Sequence, residues 1–201
     1  MTPQADTETG SVLETFRATG AYLSGHFRLT SGLHSPEYLQ CALVLQHPEQ
    51  AALLGLQLAR ELDRLLLQGK VHAVASPAVG GLIIGHEVAR ALGARFVFTE
   101  RDSSGKMTLR RGFAVTPGET VVVVEDVITT GGSTKEVVDL LTTAGATVSA
   151  AASIIDRSGG AARVGVPRVA LATLQVVAYP PESCPLCAQG IPVTKPGSRP
   201  A

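Results

Sequence analysis

Apolar positions along this chain repeat at two alternating periods. From Pro48 to about Leu67, Leu54, Leu58, Leu62 and Leu65 recur at steps of three and four, which gives a helix one apolar face, and Pro48 suits its first position. Leu82 to Leu92 reads as a second helix ended by Gly93, and Lys135 to Ala144 as a third stopped by Gly145. Ser11-Val-Leu-Glu14 has the form of a capping box for a short helix that stops near Gly20. Between these lie runs too short for helices and rich in β-branched residues. Val71–Ala75, Arg95–Glu100, Val121–Val124, Thr147–Ile155 and Val169–Val177 are the expected strands. His26 to Gln40 reads as two extended pieces around a Ser-Gly turn. Strands alternating with helices predict one α/β domain, its central sheet mostly parallel and helices on both faces.

In such a sheet, ligands sit at the carboxyl ends of the strands. Three of the expected strands end in residues that carry chemistry. Val121–Val124 runs into Glu125-Asp126-Val127-Ile128-Thr129-Thr130-Gly131-Gly132-Ser133-Thr134, and a helix follows. A Thr/Gly/Ser turn at a helix start offers backbone N–H groups and hydroxyls to a phosphate. Two carboxylates beside it suit sugar hydroxyls or a hydrated Mg²⁺. Val71–Ala75 feeds Ser76-Pro-Ala78-Val79-Gly80-Gly81, where glycines allow close approach to a phosphate or, equally, tight helix–sheet packing. The third strand ends at Asp156-Arg157. Arg101 to Met107 is polar and lacks periodicity, so a mobile loop is expected; Lys106 within it and Arg110 and Arg111 beyond it would suit a lid over an anion.

Charge and cysteine content narrow the partners. Over 201 residues, 17 basic and 17 acidic side chains cancel, which argues against broad electrostatic binding of nucleic acid or an anionic membrane. No apolar run approaches the roughly 20 residues needed to span a bilayer, and Met1 to Gly10 lacks the features of a signal peptide. Three cysteines do not form a disulfide framework, so a cytoplasmic protein is expected. The Pro/Gly-rich tail, residues 180–201, contains Cys184-Pro-Leu-Cys187 at metal-ligand spacing. Zinc usually needs four ligands; Cys41 and a histidine from elsewhere are candidates to complete the set, and two ordinary thiols are the alternative. Spacing alone assigns no metal ligand.

The stretch Glu125 to Thr134, after its valines, closely resembles the phosphoribosyl-diphosphate (PRPP) motif of type I phosphoribosyltransferases. Ser31-Gly-Leu-His-Ser-Pro-Glu-Tyr38, Ser76–Gly81 and Ile155-Asp-Arg157 resemble segments of the orotate phosphoribosyltransferase family, over about Phe16 to Gly160. Arg-Arg-Gly-Phe113 and Cys184–Cys187 look like a shorter-lid subgroup of it. The resemblance implies a type I phosphoribosyltransferase fold across residues 1–201, with a small N-terminal hood at residues 11–45. It also implies the reaction of orotate with PRPP to give orotidine 5′-phosphate and diphosphate, with Mg²⁺, in pyrimidine biosynthesis. Glu125 and Asp126 would hold the ribose hydroxyls and favour the developing positive charge. Val127 to Ser133 would bind PRPP, Ala78, Val79, Gly80 and Gly81 its diphosphate, and Tyr38, Thr129 and Arg157 orotate. A homodimer whose lid loop crosses between subunits is implied as well.

The chain departs from the family at several points. Thr30 and Gly80 stand where many members have lysines, and the lid is short. Arg101 matches its second basic position, and Lys106 is carried over although its spacing does not match. His34, Arg110 and Arg111 are candidates to replace missing positive charge, or are simply surface residues. Two competing readings remain: the same fold acting on a purine or another base, and a nucleotide-sensing regulator of gene expression. Neutral charge and the lack of a helix-turn-helix or RNA-binding signature count against the regulator.

Overall fold

The computed structural model describes residues 3–29, 31–67 and 69–196, and for residues 3–9 and 11 only the backbone. Thr30 lies outside the described residues. The elements run α1 (Pro3–Ala18), β1 (Tyr22–Arg28), β2 (His34–Leu39), α2 (Cys41–Leu45), α3 (Pro48–Leu65), β3 (Ala73–Pro77), α4 (Gly81–Leu92), β4 (Arg95–Arg101), β5 (Met107–Leu109), β6 (Thr120–Ile128), α5 (Gly132–Thr143), β7 (Thr147–Asp156) and β8 (Arg168–Thr173). A 3₁₀ turn (Pro181–Ser183) and α6 (Pro185–Ala188) follow.

Six strands form the main sheet in the order β5-β4-β3-β6-β7-β8, all parallel except β5, which pairs antiparallel with β4. Residues of β6 alternate between its two faces. Val122 and Val124 pack with Leu58 and Leu62 of α3 and Ile84 and Val88 of α4. Val121 and Val123 pack with Val137, Val138 and Leu141 of α5. A strand covered on both faces must be apolar at every position, which is why β6 begins as an unbroken valine run. The hairpin β1–β2 stands apart as a two-stranded antiparallel sheet. It is held by chain from the far end of the sequence: Tyr179 exchanges both backbone hydrogen bonds with His34 at 2.8 Å, and Thr194 pairs with His26 and Arg28 at 2.8 Å.

Several expectations need correction. The first helix extends back to Pro3, so Ser11 lies inside it rather than at its cap. Strand β6 continues through Ile128, so Glu125 and Asp126 are within the strand and not beyond its end. Helix α5 begins at Gly132 rather than Lys135, and β8 ends at Thr173, short of Val177. The segment after β4 is a compact hairpin arm. Asp102 accepts hydrogen bonds from the N–H groups of Ser104 (2.9 Å) and Lys106 (3.0 Å), which closes a turn that hydrophobic periodicity cannot register.

Candidate active site

Because side chains alternate along a strand, neighbouring Glu125 and Asp126 leave β6 on opposite faces. Glu125 continues the Val121/Val123 face and accepts a short hydrogen bond from Thr134 of α5. Asp126 continues the Val122/Val124 face and lies against the turn before α4. A Cβ on Gly80 would sit 2.6 Å from Asp126 Oδ1, so no larger residue fits there without moving the carboxylate. The Gly80 position, bare of the lysine expected from the resemblance, is therefore closely packed. The preceding Ala78–Val79 peptide is cis, and the Val79 side chain is exposed.

Both carboxyls are harder to ionise than usual. Burial raises Glu125 to about 7; the Thr134 hydrogen bond opposes the rise, the Asp126 charge adds to it, and Arg101 opposes it. Burial likewise raises Asp126, against hydrogen bonds from its own N–H and that of Val127. A strand end that holds two desolvated carboxyls, one on each face, is prepared for cationic or hydroxyl-bearing partners. Arg101 is already engaged: its guanidinium pairs with Glu136 of α5 at 2.8 Å and donates to Gly105 O at 2.6 Å. Lys106 is exposed in the turn of the arm. Arg111 pairs with Glu100 at 2.7 Å and sits over the Phe98 ring, which ties it to the arm.

Anion binding falls to backbone. Helices α4 and α5 start at Gly81 and Gly132, and neither has a side-chain cap at its N-terminus. The first N–H groups of α5 are free to meet an anion, favoured further by the helix dipole; in α4 the Leu82 N–H is taken by Val79 O at 3.2 Å. Gly131 must be glycine to make this turn: its φ is +82°, and a Cβ would come 2.9 Å from Val164 Cγ1. Thr129, Thr130 and Gly132 are exposed in the loop and Ser133 is partly so. Ile128 is different. Its side chain is fully buried in the core, and its carbonyl accepts the Arg157 N–H at 2.8 Å.

Between this loop and the hairpin lies a cavity of about 590 Å³, lined by Tyr38, Gln40, Asp126, Val127, Thr129, Thr130 and Arg157 among others. Arg157 carries it. Its guanidinium lies 5.9 Å from the Tyr38 ring centre, and its buried Nε makes no hydrogen bond. Burial lowers its pKa, so an anionic group in the cavity would restore what desolvation removes. The next residue back explains its placement. Asp156, fully buried, accepts from Ser158 N–H at 2.8 Å and pairs with Arg168. Burial alone would raise the Asp156 carboxyl, but Ser158 and Arg168 together hold it below its ordinary value.

The structure thus brings Tyr38, Asp126, Thr129 and Arg157 to one cavity, with Glu125 and the Ala78–Gly81 turn beside it. Arg101 faces Glu125, while Lys106, Arg110 and Arg111 lie outside the cavity lining. His34 turns away into a separate buried cluster. Gln40, Val176 and Ala178 also line the cavity, as do Leu29, Leu33 and Leu39, and none of these stood out as a site residue in the sequence. The Gln follows β2 directly and was within reach of the hairpin reading; Val176, expected in the last strand, and Ala178 carry no chemical signal that marks a cavity wall.

Residues 44–172 match the phosphoribosyl transferase domain. The chain is 55% identical over 188 residues to an orotate phosphoribosyltransferase of Pelotomaculum thermopropionicum, covering 94% of this chain and 96% of that protein. The crystal structure of orotate phosphoribosyltransferase from Aeropyrum pernix superposes with a TM-score of 0.68 at 30% identity, over 82% of this chain and 94% of that one. A crystal structure of adenine phosphoribosyltransferase is also similar, with a TM-score of 0.63 at 17% identity, over 78% of this chain and 98% of that one. The fold alone therefore leaves the base open.

Proposed function

This chain belongs to the orotate phosphoribosyltransferase family of the type I phosphoribosyltransferases, and from that premise we propose that it makes orotidine 5′-phosphate and diphosphate from orotate and PRPP, in pyrimidine biosynthesis. The observation that carries the base assignment is Arg157: a half-buried guanidinium with an unpartnered Nε, across the cavity from Tyr38. A planar donor fork suits a planar pyrimidine bearing a carboxylate, and a purine offers no carboxylate to meet it.

The bond between the ribose anomeric carbon and the diphosphate oxygen breaks with its electron pair leaving on diphosphate. The pyrimidine nitrogen then bonds to that carbon and gives up its proton, which the departing diphosphate takes. In between, the ribose gains oxocarbenium character. Glu125 and Asp126 take ribose hydroxyls from the two faces of β6 and favour the positive charge as it grows. The uncapped N-terminus of α5, with Thr129 to Ser133, holds the 5′-phosphate. The Ala78–Gly81 turn holds diphosphate, and its close fit to Asp126 fixes their relative position. Tyr38 and Thr129 keep the base in plane while Arg157 orients it. Arg101, or Lys106 from the arm, adds positive charge as the site closes.

Mg²⁺ fits this donor set, because hard carboxylate oxygens lie beside the diphosphate turn; when bound with PRPP it neutralises charge on the leaving group. We further propose a cytoplasmic homodimer with the arm shared between subunits. Exposed Leu53, Leu56 and Ile83 on α3 and α4 give a second copy apolar surface to cover, and three free thiols suit a reducing compartment. No helix among the described residues is long and apolar enough to cross a membrane.

The purified protein with Mg²⁺ and PRPP should consume orotate and release diphosphate, with adenine, hypoxanthine and uracil reacting poorly. Turnover of a purine without turnover of orotate would overturn the base assignment, and tight nucleotide binding with no turnover would favour a regulator. Arg157→Ala should raise the orotate KM far more than the PRPP KM; equal increases would remove Arg157 from base recognition.

A further inference from the structure

Outside this site, four side chains with metal-binding atoms converge: His26, His34, Cys184 and Cys187. All four ligand atoms lie within 4.8 Å of one another. His26 Nε2 is 2.8 Å from His34 Nδ1, 3.5 Å from Cys184 Sγ and 3.7 Å from Cys187 Sγ, and Cys187 Sγ is 3.3 Å from His34 Nδ1. With metal–nitrogen bonds of about 2.0–2.1 Å and metal–sulfur bonds of about 2.3 Å, a tetrahedral zinc site has N···N edges of about 3.3 Å and N···S edges of about 3.6 Å. The three N···S spacings of 3.3–3.7 Å lie close to that edge, and the N···N spacing of 2.8 Å is shorter, so the two imidazoles would part slightly as the ion enters.

Hydrogen bonding alone accounts poorly for the cluster. His26 Nδ1 is 2.7 Å from Ile191 O, an acceptor, so Nδ1 carries the proton and Nε2 is left with one lone pair. Three potential donors crowd that lone pair, and two of them are thiols. The Ile191 contact is also what orients a metal-bound imidazole: the distal N–H held by a carbonyl, the other nitrogen free to coordinate. His26 and His34 are buried, on one face of the β1–β2 hairpin, and Cys184 is buried beneath the tail. Both thiols are free rather than joined.

We propose that His26 Nε2, His34 Nδ1, Cys184 Sγ and Cys187 Sγ form a closed, tetrahedral zinc site that clamps the C-terminal segment to the hairpin. Two thiolates and two imidazoles match zinc in softness and geometry, and four protein ligands leave no open position, so the site is structural. Cys187, exposed, is the entry side. Cys41 is not part of it: its sulfur lies against Asp126 O at 3.9 Å, on the cavity side of the hairpin. The clamp bears on the active site through chain continuity. Ser35, next to His34, donates to Val177 O at 2.9 Å, between Val176 and Ala178 of the cavity wall. Zinc would thus hold that wall in place from behind.

The metal-content and cobalt measurements do not depend on the reaction assigned above; only the kinetic comparison does. Full-length protein, purified reduced and without added metal, is analysed for metal content, then stripped and titrated with Co²⁺. One zinc per chain is expected, with intense visible bands of tetrahedral cobalt and a thiolate-to-cobalt charge-transfer band. Cys184→Ser and His26→Ala should lose zinc, while Cys41→Ser should retain it. If Cys184→Ser fails to fold, cobalt spectra of the wild-type chain still decide the matter. Removing zinc should raise the orotate KM several-fold more than the PRPP KM. Substoichiometric zinc with weak octahedral cobalt spectra would overturn the proposal, as would a Cys184–Cys187 disulfide in protein prepared under reducing conditions.

Discussion

Glu125→Gln separates the cost of a buried charge from its use. Burial raises the Glu125 carboxyl from 4.5 to about 7. An acid whose pKa is higher folded than unfolded holds its proton longer in the folded state. Its ionisation therefore opposes folding, and stability falls as pH climbs from the unfolded value through about 7, then levels off. The full rise corresponds to about 3 kcal/mol. Glu125 keeps partial contact with solvent, so about 1–2 kcal/mol is the expected effect after screening. Glutamine keeps the size of the side chain and an acceptor for Thr134 but never ionises. The substrate-free variant should melt higher than wild type at about pH 8, by roughly 2–8 °C, with a much smaller gain at about pH 5. Its kcat should fall by about a hundredfold or more, because the charge that destabilises the free protein is the one that favours the oxocarbenium-like ribose. Melting curves at both pH values, beside steady-state rates, make the measurement. An equal gain at both pH values, or no gain at about pH 8, would refute the electrostatic account; unchanged kcat would remove Glu125 from catalysis.

Gly80→Ala should lower kcat/KM for PRPP about tenfold or more, since a methyl group 2.6 Å from Asp126 Oδ1 displaces that carboxylate. The melting temperature should change little, and unchanged kinetics would show that the Asp126 position is not critical. Gly131→Ala forces an alanine to φ +82° and into Val164; it should cost about 1–2 kcal/mol from backbone strain alone, measured by denaturant midpoint, and raise the PRPP KM. Asp156→Ala takes from Arg168, part-buried and still donating to Ala162 O, its ion-pair partner and leaves Ser158 N–H without its acceptor; it should cost about 1–3 kcal/mol in chemical denaturation. The Asp156 carboxyl is held below its ordinary value, so its contribution is present above the unfolded pKa of 3.8 and is lost as pH falls through the lower folded value; a stability gap between wild type and variant that narrows as pH falls below that range checks the sign.

Local chemistry decided much of this molecule before any folding is considered. The valine run of β6 can only be a strand buried on both faces, and the Thr/Gly turn after it, opening a helix, can only present backbone N–H groups. Those features depend on residues adjacent in the chain, and the α/β order and the glycine turn that opens α5 were legible from them. Arg157 and Tyr38 were legible too, through the resemblance of short segments.

What needed the tertiary structure involves contacts between distant residues. Glu125 and Asp126 read as a pair, but strand alternation sends one to Thr134 and the other to Gly80. Gly80 read as a missing lysine and proves to be a position where Asp126 leaves no room. The polar stretch after β4 read as a mobile loop, because a turn closed by one aspartate has no period to detect. The clearest case is the tail. Cys184 and Cys187 had ligand spacing but half a ligand set, and Cys41 was a candidate for the rest. The proposed other half is His26 and His34, 150 or more positions away and brought to the cysteines only because the tail pairs with both edges of the hairpin. Spacing along a chain can reveal ligands that share a turn. Which ones share a metal depends on the fold, because only packing sets the distance between residues so far apart in sequence.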